Sequence, residues 1–238
     1  LNLTFETREG ILKHCSLKNA AELGDVGRRF IEKQQPSLEA QLTNLADEIA
    51  YNSHDVDDGL RAGLITVEAL SAIPLFQEQY DRVRSLYPEL APRRTIHEVV
   101  RRLIGCQVID LVETSKAALQ LAQPDSIDAV RGHGAPLIMF SDSMREKNLE
   151  LKRFLRTRLY RHYRVHRMSA KAGRTITALF EAYIDDPRLL PEDAQQQAAL
   201  LENTLGRDGR ARAVADYIAG MTDRYAIAEY ERTFNPAN

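Results

Sequence analysis

Apolar side chains recur at three- and four-residue steps along almost the whole chain. Ile96, Val99, Val100, Leu103, Ile104, Val108, Leu111 and Val112 form one stripe, which predicts a long amphipathic helix. Leu38, Leu42, Leu45, Ile49 and Val56 repeat the pattern earlier, and Leu149, Phe154, Leu155 and Leu159 repeat it later. Ile176, Leu179, Phe180 and Tyr183 predict another helix, ended by Asp186-Pro187. Pro191 followed by Glu192 and Asp193 reads as the start of the next, with acids near the positive end of its dipole. Val214, Tyr217, Ile218, Met221, Tyr225 and Ile227 predict one last helix. The breakers include Gln35-Pro36-Ser37, Ile73-Pro74, Tyr87 through Pro92, Gln123-Pro124-Asp125, Gly132 through Pro136 and Arg207-Asp208-Gly209. The short run Leu137-Ile138-Met139-Phe140 fits an isolated strand or a packed loop. No strand–helix alternation and no internal repeat is present. The fold class expected is all-α: a multi-helix bundle with a helical C-terminal extension, one region over 1–238, crossed irregularly around 123–143.

Composition narrows the class without naming a function. The 238 residues are 44% hydrophobic and 28% charged, enough for a real core under a solvated surface. A formal net charge of −2 gives no overall attraction to nucleic acid or anionic membrane. Cys15 and Cys106 stand far apart, outside any CxxC or zinc spacing, which fits two thiols in a reducing cytoplasm. No apolar run reaches the roughly 18 residues that span a bilayer, so a cytoplasmic protein without membrane association is expected. The chain opens on Leu1 rather than methionine, which suggests a fragment or a processed product.

The chemistry concentrates in two stretches. In the first, from Leu45 to Asp58, Asp47, Tyr51 and Asp55 lie four residues apart and stack on one helix face. Two acids and a phenol in one row can serve a divalent cation at one end and a hydroxyl-bearing ligand further along. The alternative is an ordinary solvated face. The dipeptide His54-Asp55 is a poor metal pair, because neighbouring helix residues point about 100° apart. In the second stretch no acid occurs from Leu151 to Phe180. Lys152, Arg153, Arg156, Arg158, Arg161, Arg164, Arg167, Lys171 and Arg174 fall there, with Tyr160, His162, Tyr163 and His166 among them, on what reads as one basic helix. Three readings stand open: a solvated face with salt bridges, a triphosphate site built from arginine forks, or a groove for single-stranded DNA. His162 and His166 have the spacing of a helical metal pair, but the surrounding arginines would repel a cation.

Several blocks together resemble a known family. They are Leu1 to Thr7, Glu9 to His14, Ser37 to Gln41, Asp47 to Tyr51, His54 to Gly63, and Val214 to Ala226. In order and spacing they resemble the bacterial dGTPase-like, HD-domain deoxynucleoside triphosphate triphosphohydrolases. The resemblance implies hydrolysis of a dNTP to a deoxynucleoside and inorganic triphosphate. It implies a divalent metal, Mg²⁺ or Mn²⁺, with Asp47 matching the last of its ligands. The His and the His-Asp pair that complete that set match nothing here and would lie upstream of Leu1, so no catalytic residue is assigned within the chain, which alone is expected to be inactive. Tyr51 and Asp55 match the sugar-reading residues; Lys152, Arg158, Tyr160 and Arg161 match the phosphate and base contacts. Homo-oligomers, tetramer or hexamer, are expected, and single-stranded DNA is a further partner of some relatives. The competing reading is a non-catalytic module that binds nucleotide or single-stranded DNA and mediates assembly.

Overall fold

A computed structural model of the chain describes residues 2–12 and 15–236. Among the described residues it is all-α, with thirteen helices and no strand. In chain order these are α1 Phe5–Ile11, α2 Leu17–Ala20, α3 Asp25–Ile31, α4 Leu38–Arg61, α5 Val67–Leu70, α6 Pro74–Leu86, α7 Pro92–Ala122, α8 Ile127–Arg131, α9 Asp142–Leu155, α10 Tyr163–Asp185, α11 Glu192–Leu205, α12 Arg207–Ala219 and α13 Asp223–Phe234. A π-helical turn, Arg156–Tyr160, continues α9. Among the described residues no helix is long and apolar enough to cross a membrane.

Contacts group the chain into two compact units, Leu1–Tyr160 and Arg161–Asn238, where the sequence suggests one region. The division falls inside the stretch read as one basic helix. That helix is in fact two, because α9 winds into the π-turn and the chain leaves helical geometry at Arg161-His162. His162 then caps α10, its ring accepting from the backbone N–H of Arg164 at 3.3 Å. Since His162 precedes the helix, the spacing that suggested a metal pair with His166 disappears.

In the first unit α4, α6, α7 and α9 pack around Val56, Leu70, Leu75, Phe76, Val83, Val99, Leu103, Leu151 and Leu155, all 4% exposed or less. The long stripe on α7 is only partly core. Val99, Leu103 and Leu111 are buried, whereas Val108 and Val112 are exposed at 42% and 58%, beside Ile109 at 59%. Leu42 on α4 is likewise exposed. Side-chain caps set the two helices that matter below. Ser37 accepts from the Ala40 N–H at the start of α4, and Ser141 accepts from the Met144 N–H at the start of α9.

The stretch 123–143 is an irregular crossing interrupted by short α8, and Leu137–Phe140 is a packed loop rather than a strand. Its backbone is held from both sides. The Gln41 side chain of α4 accepts from the Leu137 and Ile138 N–H groups at 2.8 and 3.1 Å. On α7, Ser115 accepts from the Met139 N–H at 3.0 Å, and Asp110 accepts from both the N–H and the hydroxyl of Ser141. A buried amide pair completes the brace, Asn148 donating to Gln107 at 2.8 Å. These bonds satisfy groups that burial would otherwise leave unpaired, and they fix where α9 begins.

The second unit is a four-helix cluster around Leu179, Tyr183, Leu190, Ala198, Ala213, Val214 and Ile218. Asp186 ends α10, and α11 follows Pro191, as the sequence suggests. The next break is Gly206, at φ 64°, not Gly209, which lies inside α12. Gly209 is small for a different reason: a Cβ there would run into the backbone of Leu201 on α11. The single last helix is two, because Thr222 caps a new start at α13. Ile176, placed on the α10 stripe by its spacing, is exposed at 48%.

Candidate functional site

Within the first unit α4 and α9 pack side by side and run in the same direction, as two cross-helix bonds show. Near one end Lys152 Nζ donates to Glu48 Oε2 at 2.8 Å. Further along, the Tyr160 hydroxyl donates to Asp55 Oδ2. Gly59, one turn beyond Asp55, lets Leu159 of the π-turn come in against α4. A π-turn widens the helix by one residue and re-aims the side chains it carries, here turning Tyr160 toward α4.

Along the same α4–α9 groove lies a pocket of about 590 Å³, which takes in the Glu48–Lys152 pair and reaches Tyr160. From α4 it is lined by Asn44, Asp47, Glu48, Tyr51 and Asn52; from α9 and the π-turn, by Leu149, Lys152, Arg153, Leu155, Arg156 and Tyr160. One wall therefore carries two carboxylates and a phenol, and the facing wall carries three cations and a second phenol. The rings of Tyr51 and Tyr160 stand 6.5 Å apart at 41°, and both residues are exposed to solvent.

The electrostatics differ between the ends. Asp55 is half-buried, and desolvation pushes its carboxyl above the usual aspartate value, partly opposed by the hydrogen bond from Tyr160 and reinforced by the Asp58 charge. The Tyr160 phenol is pushed up, first by desolvation and then by its bond to Asp55, so it stays protonated and acts as a donor. Asn52 is 6% exposed, and its Nδ2 makes no hydrogen bond among the described residues.

The sequence-derived residues fall out unevenly. Asp47, Tyr51, Lys152 and Tyr160 line this one pocket, and Asp55 reaches it through Tyr160. His54 is exposed and outside the pocket lining. Arg158 is exposed on the π-turn and is likewise absent from the lining; Arg161 opens the second unit. Sequence reasoning passed over Glu48 and Asn52 as pocket residues and named Arg153 and Arg156 only within the basic stretch. For Glu48 and Asn52 the available signal was their four-residue spacing on the same helix, continuing toward Val56.

A divalent metal is implied by the resemblance, and the donor set does not complete a site for one. Asp47 lines the pocket and offers carboxylate oxygens there, and Glu48 beside it is paired with Lys152. Among the described residues no three His, Cys, Asp or Glu side chains cluster closely enough to hold an ion. A hard cation wants about six ligands, so Asp47 alone does not make a metal centre.

Comparison with known proteins gives the family. Residues 138–232 match the phosphohydrolase-associated domain, which begins in the crossing loop and includes α9. Over 234 residues, 98% of the chain, it is 54% identical to the deoxyguanosinetriphosphate triphosphohydrolase-like protein of Ralstonia nicotianae and 55% identical to that of Thiobacillus denitrificans. The protein of that name from Nitrosomonas europaea is 51% identical over the same share. The chain spans 58–60% of the length of these relatives. Its α4–α9 pocket therefore sits in a member of the deoxyguanosinetriphosphate triphosphohydrolase-like family, a family of hydrolases.

Proposed function

We propose that the chain supplies the nucleotide-holding face of an enzyme that cleaves a deoxynucleoside triphosphate, dGTP or a close relative, into deoxynucleoside and inorganic triphosphate. The observation that carries this reading is the two-walled pocket, with acids and a phenol on α4 facing cations on α9. A triphosphate carries roughly four negative charges, and arginine and lysine donors suit its oxygens. Lys152, Arg153 and Arg156 take that role. Arg158 and Arg161 remain phosphate contacts of the proposal on the resemblance alone, since the pocket lining does not include them.

At the sugar end the two tyrosines pack against the deoxyribose and leave no room for a 2′-hydroxyl, while Asp55 accepts from the 3′-hydroxyl. Substrate then displaces the Tyr160 hydroxyl from Asp55, exchanging one donor for another. Excluding a hydroxyl in this way discriminates deoxy from ribo sugars by a few kcal/mol. Mg²⁺ or Mn²⁺ belongs to the proposal with Asp47 as one ligand, the remaining ligands lying elsewhere in the whole protein. When bound, such a cation supplies Lewis-acid stabilisation of phosphate charge. The test is release of triphosphate from each dNTP by the gene product with Mg²⁺ or Mn²⁺. Loss of that release in Asp47→Ala supports the proposal. A gene product that releases none, or an Asp47→Ala variant that behaves like the parent, overturns it.

A second activity has its own observation. On α10, Arg164, Arg167, Lys171 and Arg174 are exposed, Tyr163 is 59% exposed beside them, and the helix has no acid before Glu181. We propose that this face binds single-stranded DNA through phosphate contacts and stacking. Binding that weakens steeply with salt supports it, and no binding at low salt removes it. Self-association into a tetramer or hexamer is proposed through the exposed apolar residues of α7, in the cytoplasm where dNTPs are used.

A further inference from the structure

Asn52 occupies an unusual position on α4. It lies four residues after Glu48 and three before Asp55, on the helix face that meets α9. Its neighbours on that face are both paired across the groove, Glu48 with Lys152 and Asp55 with Tyr160. Asn52 lines the same pocket, is 94% buried by its 6% exposure, and has an amide nitrogen without a partner among the described residues. A buried amide donor left unmade costs folding free energy, and burial this complete is otherwise almost always satisfied. A leucine of similar size would remove that cost. An unpartnered donor in a pocket wall is what a binding site looks like before its acceptor arrives.

The acceptor follows from the neighbours. Helix residues three or four apart stand about 5–6 Å from one another, so Asn52 lies midway between the cation end and the tyrosine end of the pocket. A ligand with phosphates at one end and a sugar at the other offers as acceptors near that midpoint the oxygens of the first phosphate and of its ester to the sugar. We infer that Asn52 is a further substrate-contacting residue, donating a hydrogen bond to an oxygen at the sugar–phosphate junction of a nucleotide. The inference rests on the nucleotide reading of this pocket and adds a residue to it.

The test separates a binding role from a structural one. Asn52→Leu removes the donor and keeps approximate shape; Asn52→Asp keeps the shape and replaces the donor with a charge. For the gene product and both variants, thermal unfolding is measured, together with direct binding of dGTP, deoxyguanosine and inorganic triphosphate. The expected result for Asn52→Leu is an unfolding temperature equal to or above the parent's, with dGTP bound about 10- to 100-fold more weakly, as for a lost hydrogen bond to a charged acceptor. Deoxyguanosine and triphosphate, each holding one side of the junction, should lose less. Asn52→Asp should bind dGTP more weakly still. A marked fall in unfolding temperature for Asn52→Leu makes the residue structural and overturns the inference. So does unchanged dGTP binding while the parent binds normally, which leaves the pocket assignment standing. A parent that binds none of the three ligands overturns the nucleotide reading and this inference together.

Discussion

Replacing Tyr160 by phenylalanine isolates one hydrogen bond at the sugar end of the pocket. The ring and its tilt against Tyr51 at 6.5 Å are retained, and only the hydroxyl that donates to Asp55 is lost. A bond to an ionised acceptor contributes about 1.5–3 kcal/mol when fully enclosed. Tyr160 is 40% exposed and water can take the vacated place, so the cost at neutral pH is discounted to about 1 kcal/mol. The pH dependence has a definite sign. Burial raises the Asp55 pKa on folding, so this carboxyl contributes stability at pH below about 3.8, and that contribution is lost as pH rises through the folded value. Tyr160 is the main group holding the value down, so its loss raises it further. The destabilisation in Tyr160→Phe should therefore be small at pH 3.5 and grow toward pH 7. Urea unfolding at several pH values reads the free energy, and a carbon-detected NMR titration of Asp55 reads the carboxyl. An equal cost at every pH, or an Asp55 titration unmoved by the substitution, would show that the hydroxyl is not bound to an ionised Asp55.

Three further outcomes follow from packing. Gly209→Ala drives a methyl into the Leu201 backbone and should cost about 2–4 kcal/mol, seen as an early thermal transition of the second unit; a neutral effect would contradict the α11–α12 contact. Asn148→Leu strands the buried Gln107 amide oxygen at a cost of about 1–3 kcal/mol, and adding Gln107→Leu should recover most of it. A double variant no more stable than the single one refutes the pairing. Ile109→Glu places a charge on the exposed α7 face without touching the core, so it should shift light-scattering mass toward the monomer while leaving the unfolding temperature within a few degrees. An unchanged mass contradicts the proposal that this face mediates assembly.

What could be read in advance depended on the range of each signal. Helical class came from a period that repeats every turn, and the row Asp47–Tyr51–Asp55 from the same periodicity within one helix. The Glu48–Lys152 pair joins residues 104 positions apart, which no local pattern exposes. The apparent basic helix was continuous in charge and hydrophobicity, yet charge alone says nothing of the π-turn or of the cap at His162. Gly206 and Gly209 look alike as letters; one is a left-handed break and the other a close approach between helices. Val108 and Val112 carry the right spacing for core, but α7 is 31 residues long and its partners do not cover that face along its length.

The most direct measurement is a crystal structure of the protein grown with dGTP and a chelator, so that the nucleotide persists uncleaved. The account predicts nucleotide density between α4 and α9, with deoxyribose between Tyr51 and Tyr160, a 3′-hydroxyl on Asp55, and phosphates against Lys152, Arg153 and Arg156. Nucleotide bound at any other surface, with Tyr160 still closed on Asp55 and the pocket holding only water, would contradict it.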